Sequence, residues 1–505
     1  MITDAEFTAW LNAPESVHCM LVEADYRDAN GLGTERIATH PFVSRPTDSP
    51  ANTSYRARID AIPEFKQQMS EAFIGRTTAN VGEIRCINTG AIDSWLFDRD
   101  WIGYGIRMKV GDPSWPLADY RSVWTGVTAD LNVTGTNRFG LVVRDMQHLL
   151  NQPVRRDAIE SGSMAGQPVP VGYGTVYNAR CIPIDSTGRV FRIAEGPIGS
   201  ILQVRSDSGV YGGSFYTADL ASGTITLTGT TVKELTCDYV GPTLGTLDMT
   251  NAADLIRYFA TVRGYLSDDD LDHESFQRLR EDVTAPLTLY LPPTDSMVYE
   301  AIDQICNTIG GYTAVNRDGK LYVGRVDLSG DPVAEITPEK IVQNGLAVAR
   351  LLQPVDAIRL GARQNQTTHL SPTATTEGNQ MLYRQSHWHM GQSYNSDPTV
   401  QKTRRLGRSG GQGGTVDHNT DPGLIPTLFL NGADAALEAE RRMAVWGVRR
   451  VVFKVTCYMS ALRLNLGDIV RITHPRYGLA SGKNGMIVSL SERLSSRRVE
   501  LGVLV

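Results

Sequence analysis

The stretch 464–490, LNLGDIVRITHPRYGLASGKNGMIVSL, decides between two kinds of fold near the end of the chain. Gly478, Gly482 and Lys483 invite comparison with a phosphate-binding loop, which requires the pattern G-x-x-x-x-G-K-[ST]. Only three residues separate the two glycines, and Asn484 stands where the hydroxyl residue belongs. The alternating runs DIVRIT and GMIVSL instead predict two antiparallel strands joined by a long loop. We therefore expect a sheet here and no nucleotide site.

The composition is typical of a folded, soluble protein. The chain has 505 residues, of which 41% are hydrophobic and 21% charged, and its net charge is −6. This length suggests three or four domains. The mild negative charge argues against a surface that coats nucleic acid, which would be strongly basic. We find no run of 18 apolar residues and no basic, apolar leader, so we expect neither a membrane-spanning helix nor a secretory signal.

The cysteines predict a protein made in a reducing compartment. There are six of them, none in a C-x-x-C pair and most beside apolar neighbours: Cys19, Cys86, Cys181, Cys237, Cys306 and Cys457. This pattern favours buried, reduced thiols. The sequence alone leaves a disulfide open.

The hydrophobic pattern divides the chain into four parts. Residues 1–155 read as strands in a meander or barrel, including SVHCMLVEADYR, YGIRMKVGDP and RSVWTGVTADLNVTG. A segment rich in Gly, Pro and Ser follows, and short strands with turn signals predict a small all-β module at 156–245. Residues 246–345 show a helical period and then a hairpin, which predicts an α+β domain. Residues 346–505 return to β structure around one helix and a flexible loop at 409–423.

Particular residues are expected to begin and end the helices of the third part. Asn251 is a candidate cap for NAADLIRYFATVRGYL. Ser296 or Asp295 is expected to cap TDSMVYEAIDQICNTIGG, which Gly310 ends. Asp318-Gly319 is the expected turn of the following hairpin.

Two segments of the chain contain candidate metal ligands. The acidic run SDDDLDHE at 267–274 lacks the glycine of a calcium loop, and carboxylates at the start of a helix are explained by the helix dipole. His387 and His389 lie on one face of a predicted strand, but no third ligand is placed by the sequence. We therefore predict no metal and no cofactor, and keep His387 and His389 as candidates that could repeat around the axis of an oligomer.

No motif of a catalytic site occurs. G-x-S-x-G and H-E-x-x-H are absent, and no cysteine has a signature context. Asp93, Asp98 and Asp100 lie near turns, where loop structure explains them. Paired carboxylates for glycosidic cleavage cannot be recognised from sequence. We predict that the chain is not an enzyme and has no catalytic or cofactor-binding residues.

The segment GEIRCINTGAIDSWLFDRDWIGYGIRMKVGDPSWPLADYRSVWTGVTADL resembles the first barrel of tail-tip or baseplate hub proteins of siphophages and related prophages. In that family a strand ending in N-x-G-x-x-D precedes a G…V…GD strand and a G-x-V step. The matching residues here are Asn88, Gly90, Asp93, Gly111, Asp112 and Gly126. PVPVGYGTVYNARCIPID, NAADLIRYFATVRGYLSDDDLDHESFQRL and the closing LGDIVRITHPRYGLASGKNGMIVSLSERLSSRRVELGVL resemble the later modules in the same order.

The resemblance implies a structural hub similar to the trimeric hub of contractile baseplates. Its fold would be mainly β with α+β insertions. Two tube-like barrel domains, at 1–155 and 346–505, would be accompanied by peripheral domains at 156–245 and 246–345. Three copies would give six similar barrels, and a homotrimer would then match a six-fold tail tube. The alternative is a tail-associated enzyme that degrades cell wall or polysaccharide.

The resemblance also implies partners and a location. The ring would cap the tube of a long non-contractile tail, with the distal tail protein, the tape-measure protein and a central fibre as neighbours. Phage DNA would pass through its lumen during ejection without sequence-specific binding. An acidic or neutral lumen would avoid holding phosphates. We thus expect a virion protein of the tail tip, made in the host cytoplasm and without stable membrane insertion.

Overall fold

The computed structural model describes residues 2–367, 383–390 and 424–505, apart from 62, 81, 91, 207–208, 230, 233 and 356. For 383–390 the backbone alone is described. Strands make up most of the regular structure, so the predicted mainly β class with α+β insertions is confirmed. The predicted flexible loop at 409–423 lies outside the described residues.

The first region forms one large sheet. Its helices are α1 (Asp4–Asn12) and α2 (Trp95–Asp98). Its strands are β1 (Cys19–Asp28), β2 (Gly31–Ala38), β3 (Phe42–Val43), β4 (Ser54–Ala57), β5 (Ile59–Ala61), β6 (Phe65–Gln68), β7 (Gly75–Arg76), β8 (Thr78–Asn80), β9 (Glu83–Ile87), β10 (Gly105–Gly111), β11 (Arg121–Val133) and β12 (Arg138–Arg144). The sheet has the order β3-β4-β2-β1-β10-β11-β12-β9-β5. We call it the first sheet.

One continuous segment pairs near one edge of the first sheet, where only the two-residue β3 lies outside it, and forms the other edge. β4 pairs in parallel with β2, and β5 pairs antiparallel with β9 at the other edge. Between them, the Arg58 N–H donates to the Ala38 carbonyl at 3.0 Å, and the Arg58 carbonyl accepts from the Ile87 N–H at 2.7 Å. The two ends of the sheet therefore meet on residues 54–61, as in a sheet that curls toward a barrel.

The middle of the chain contains a small all-β part and three helices. The strands are β13 (Val171–Tyr173), β14 (Thr175–Arg180), β15 (Ile182–Pro183), β16 (Val190–Arg192), β17 (Ser200–Ser206), β18 (Gly209–Val210), β19 (Tyr216–Asp219), β20 (Thr224–Leu227), β21 (Leu235–Val240) and β22 (Leu289–Leu291). The helices are α3 (Ala252–Tyr258), α4 (His273–Asp282) and α5 (Val298–Ile309). Two four-stranded sheets, β14-β21-β17-β18 and β15-β16-β20-β19, make the small β part.

One of the predicted helix caps is wrong. The Asn251 side chain accepts from the Ala253 N–H at 2.9 Å, which confirms the cap of α3. At α5, by contrast, the N-cap residue is Met297, and the Glu300 carboxylate accepts from its N–H at 2.8 Å. Neither Ser296 nor Asp295 is the cap, because the Val298 N–H donates to the Gln152 carbonyl at 2.9 Å and the Glu300 carboxylate accepts from the Met297 N–H. Gly310 ends α5 at φ +60°, as predicted.

The closing region forms a second large sheet. It contains α6 (Gly432–Trp446) and the strands β23 (Gly311–Val315), β24 (Leu321–Arg325), β25 (Ala334–Ile336), β26 (Ile341–Leu352), β27 (Ala357–Gln364), β28 (Tyr383–Met390), β29 (Leu424–Pro426), β30 (Arg450–Cys457), β31 (Ile469–Ile472), β32 (Lys483–Arg493) and β33 (Arg498–Leu504). Ile469 lies opposite Met486, so DIVRIT and GMIVSL form the predicted antiparallel pair. β23 and β24 form the hairpin predicted around Asp318-Gly319. The closing sheet has the order β25-β31-β32-β33-β30-β26.

The closing sheet repeats the edge arrangement of the first. β25 pairs in parallel with β31 at one edge, and β26 pairs antiparallel with β30 at the other. Only residues 337–340 separate β25 from β26, and the Lys340 carbonyl accepts from the Tyr458 N–H at 3.0 Å. In both large sheets, one continuous segment thus makes a parallel pairing near one end of the sheet and then an antiparallel pairing at the other.

The two large sheets share strands and a core. β6, from the first region, pairs antiparallel with β32, and β8 pairs with β6. A single hydrophobic cluster contains Met20 and Phe139 of the first sheet together with Phe453 and Leu501 of the closing sheet. The sequence did not predict that β6 pairs with β32, because the hydrophobic pattern of a strand does not specify which strand it pairs with. The limits proposed for the four domains stay a prediction.

Two further expectations concern thiols and membranes. All six cysteines are free and buried, as the sequence favours. Among the described residues, no helix is long and apolar enough to cross a membrane.

Candidate assembly surfaces

The N-x-G-x-x-D motif builds a tight turn at the end of β9. The Gly90 N–H donates to the Asn88 side-chain oxygen at 2.8 Å, and the Asn88 amide donates to the Asp93 carboxylate at 2.7 Å. Gly90 has φ +88°, a conformation that favours glycine. These three residues therefore set the path of the chain into α2 and have no chemistry of their own.

The other motif residues permit close packing. A Cβ at Gly111 would lie 2.7 Å from the Tyr120 ring, and one at Gly126 would lie 2.3 Å from the Arg144 carbonyl. Asp112 accepts from the Trp10 indole N–H at 3.1 Å, which ties α1 to the sheet. The residues that carry the resemblance thus hold a turn and close packing in the first sheet.

Aromatic rings of α2 and of the loop that follows it pack together. Trp95 and Trp101 are buried with their centroids 4.9 Å apart. The Arg99 guanidinium lies 4.0 Å from the centroid of Tyr26 and donates to Glu35 at 2.7 Å. This arrangement fixes α2 with its remaining apolar side chains directed away from the core.

Four exposed apolar side chains of two hydrogen-bonded segments define a surface at one end of the first sheet. We call it the end patch: Leu32 (78% exposed), Leu96 (44%), Phe97 (90%) and Ile102 (62%). Its two segments are joined because Arg27 and Asp100 exchange backbone hydrogen bonds of 2.9 and 2.8 Å. A monomer rarely exposes apolar side chains together in this way, so the end patch is a candidate binding surface.

A second apolar surface lies where β26 ends. We call it the edge patch: Val348 (41% exposed), Leu351 (59%), Val355 (38%) and Val448 (51%). The Val355 N–H donates to the Trp446 carbonyl at 2.7 Å, which joins the end of β26 to the turn after α6. In the described ranges, β26 pairs with β30 alone. A long apolar edge strand of this kind is a template for another chain unless it is covered.

A cavity of about 570 Å³ opens between α4, the β23–β24 hairpin and the loop 465–468. Asp468 lines it, and burial raises the pKa of this carboxyl group above its ordinary value. The Asn465 N–H donates to the same carboxylate at 2.8 Å. A carboxyl group with a raised pKa in a cavity is what a general acid requires. Replacing Asp468 therefore tests the alternative, enzymatic function.

The candidate metal residues fall into two groups. The backbone of His387 and His389 lies in β28, opposite Leu360 and Ile358, but their side chains lie outside the described residues. In the acidic run, the Asp270 carboxylate accepts from the Ser267 N–H at 2.8 Å, and Asp268 pairs with Arg257 at 2.7 Å. No cluster of three potential ligands occurs in the described part of the chain.

Sequence reasoning missed the residues of both patches. A weak signal existed in SWLFDRDWI, where Leu96 and Phe97 stand between two tryptophans that cannot all face one core. The edge patch had no such signal, because apolar residues in a strand are expected to be buried.

Comparisons with known proteins find distant likenesses only. No family model and no curated protein matches the chain. Among solved structures, it is similar to the tail protein from Neisseria meningitidis MC58, with a TM-score of 0.40 and 10% identity over 96% of both chains. It is also similar to the 43 kDa tail protein of prophage MuSo2 from Shewanella oneidensis, with a TM-score of 0.39 and 10% identity over 97% of this chain and 98% of that one.

A third likeness is to the prophage tail protein gp18 from Listeria monocytogenes EGD-e. Its TM-score is 0.41, with 8% identity over 96% of this chain and 94% of that one. TM-scores near 0.4 are too low for these likenesses to indicate the fold or the function of this chain.

Proposed function

We propose that this chain is the structural hub of a long non-contractile phage tail. Three copies form a ring that caps the tail tube, receives the end of the tape-measure protein and the central fibre, and adjoins the distal tail protein. The ring converts the six-fold symmetry of the tube to three-fold symmetry. DNA leaves through its lumen at host cell entry.

The observation that carries this proposal is the repeated edge arrangement of the two large sheets. In each, one continuous segment, residues 54–61 or 334–352, makes a parallel pairing near one end of the sheet and an antiparallel pairing at the other. Two sheets that curl in the same manner supply two tube-like units per chain. Three chains then present six such units around an axis, which a six-fold tube can contact.

The shared core supports the same proposal. Because β6 joins the closing sheet and one cluster spans both sheets, the two units are held as one body. A ring that adapts symmetry requires this rigidity, since independent units could slide out of register with the tube. The resemblance of the ordered sequence segments to those of tail-tip hubs supports a ring at the tail tip.

Cryo-electron microscopy of the particle that carries the chain tests the proposal. We expect density for three copies at the distal end of the tube, with the two large sheets alternating around the axis. The lumen is expected to be acidic or neutral, because a basic wall would bind passing phosphates. Density for the chain away from the tube axis contradicts the hub, and a lumen lined by Arg and Lys contradicts the charge assignment.

The alternative, a wall-degrading enzyme, is tested separately. Purified chain is incubated with peptidoglycan and with host polysaccharide, and soluble fragments are measured. The hub proposal expects none. Release of fragments that disappears in the Asp468→Asn variant would favour the enzyme and identify its acid.

A further inference from the structure

We propose that the end patch of one copy binds the edge patch of the next copy. The inference deepens the proposed function, on which it rests, by naming the contact between neighbours in the ring. Both surfaces belong to the same polypeptide, but they lie on different sheets. The contact is therefore head-to-tail, and it can repeat around an axis until it closes.

The apolar content of the two surfaces is matched. Each patch has four large apolar side chains, and Phe97, at 90% exposed, is the aromatic residue of the end patch. Aromatic side chains that enter a neighbour dominate the binding energy of many interfaces. The edge patch offers aliphatic side chains along β26, together with a strand that pairs with β30 alone in the part of the chain described here.

The charges around the two surfaces are opposite. Segments 27–33 and 93–103 contain four aspartates and two arginines, and Arg99 is already bonded to Glu35. Segments 347–355 and 446–450 contain three arginines and no carboxylate. Two acidic surfaces would repel each other, as would two basic ones. Charge complementarity thus favours the contact of unlike patches over a two-fold contact of like patches.

Sedimentation velocity of the purified full chain over a range of concentrations tests the contact. We expect the wild type to self-associate. Phe97→Ser, Asp98→Arg and Arg449→Glu should each raise the dissociation constant about tenfold or more. Asp98 and Arg449 are exposed, so their replacement leaves the fold intact, which thermal unfolding verifies. Asp331→Arg, an exposed acid outside both patches, is the matched control and should change nothing.

The double variant Asp98→Arg/Arg449→Glu makes the test decisive. In a head-to-tail contact the arginine introduced at position 98 of one copy and the glutamate introduced at position 449 of the next are again opposite in charge, so association should recover part of what each single variant loses. Added salt should weaken the wild-type contact and leave the Phe97→Ser defect in place.

Three results would overturn the inference. These are a wild type of single-chain mass at every concentration, single variants that associate as the wild type does, and a double variant that fails to recover. None of them decides whether the chain lies at the tail tip, which imaging of the particle establishes independently. An intact three-fold ring with unaffected variants would leave the hub standing and remove this interface.

Discussion

Asp145 is a buried carboxylate whose pKa is shifted mainly by desolvation. It is 8% exposed at the end of β12, and the Gln147 amide donates to its carboxylate at 3.2 Å. Burial raises the pKa of Asp145 from 3.8 to about 6. The folded state therefore holds a proton that the unfolded state releases at lower pH.

We expect a falling stability between these two pKa values. Below pH 3.8 both states are protonated, and as pH rises to about 6 the free energy of unfolding decreases by about 3 kcal/mol. Asp145→Asn should flatten this slope and be the more stable protein at pH 7. Urea unfolding at several pH values measures it. The exposed Asp331→Asn is the control, and an unchanged slope in Asp145→Asn would contradict the assignment.

Some residue roles were predictable from sequence and others were not. The roles of Asn251 and Gly310 were predictable, because an N-terminal cap and a left-handed helix end depend on local chemistry alone. Ser296 was wrongly favoured, since the Val298 N–H at the start of α5 is bonded to the Gln152 carbonyl from a distant part of the chain. The burial of Asp145 had no local signal, because it depends on Thr77 and Thr313, to which Gln147 is hydrogen-bonded across the fold.

At the scale of elements, the end of α5 is held by arginines from other parts of the chain. The Arg442 guanidinium donates to the Thr308 carbonyl at 2.9 Å, and Arg325 and Arg441 donate to the Ile309 carbonyl at 3.0 and 3.1 Å. These carbonyls have no partner within the helix. Cations at a helix C-terminus also oppose its dipole. The three arginines therefore join α5, β24 and α6.

Glu438 neutralises this cluster. It is 4% exposed, and its carboxylate accepts from Arg325, Arg441 and Arg442 at 2.5 to 2.8 Å. Glu438→Gln should lower the free energy of unfolding by about 3–5 kcal/mol, because it leaves buried cations without a counter-charge.

The matched control is on the same helix. Glu440→Gln removes an exposed carboxylate and should change the free energy of unfolding by less than about 0.5 kcal/mol. Guanidinium unfolding of both variants makes the comparison. Equal effects would mean that the arginines are satisfied by the carbonyls alone.

Element types were largely predictable, and element partners were not. α6 and the β31–β32 pair follow from periodicity and turn residues. The pairing of β6 with β32 and of β7 with β23 does not follow from the sequence. β6 and β7 are short, and many extended segments could pair with them. For the same reason, neither the end patch nor the edge patch could be predicted as a surface.

At the scale of the whole molecule, Arg317 joins three parts of the chain. It lies in the β23–β24 turn and donates to Glu492 of β32 at 2.7 Å and to the Leu464 carbonyl at 3.1 Å. Its own carbonyl accepts from the Ser122 hydroxyl at 3.3 Å on the first sheet. Glu492 is 1% exposed, and burial raises its pKa. The pair thus lies between the two large sheets and the hairpin.

Arg317→Ala should destabilise the protein by about 3–5 kcal/mol, because Glu492 is then buried without a partner. Arg317→Met/Glu492→Met should recover much of the loss, since no charge remains to be desolvated. Calorimetry measures both, and Lys320→Met on the same turn is the exposed control. A double variant no better than Arg317→Ala would show that the contacts of Arg317 with backbone carbonyls dominate.

The strand β6 has a consequence for how the protein is made. Its neighbour Glu64 bonds Ser491, which follows 427 positions later. At roughly 5–20 residues per second, translation takes about 20–90 seconds to supply that partner. During this interval β6 can pair with β8 but not with β32. A message truncated before codon 489 therefore yields a product in which one side of β6 lacks its strand partner.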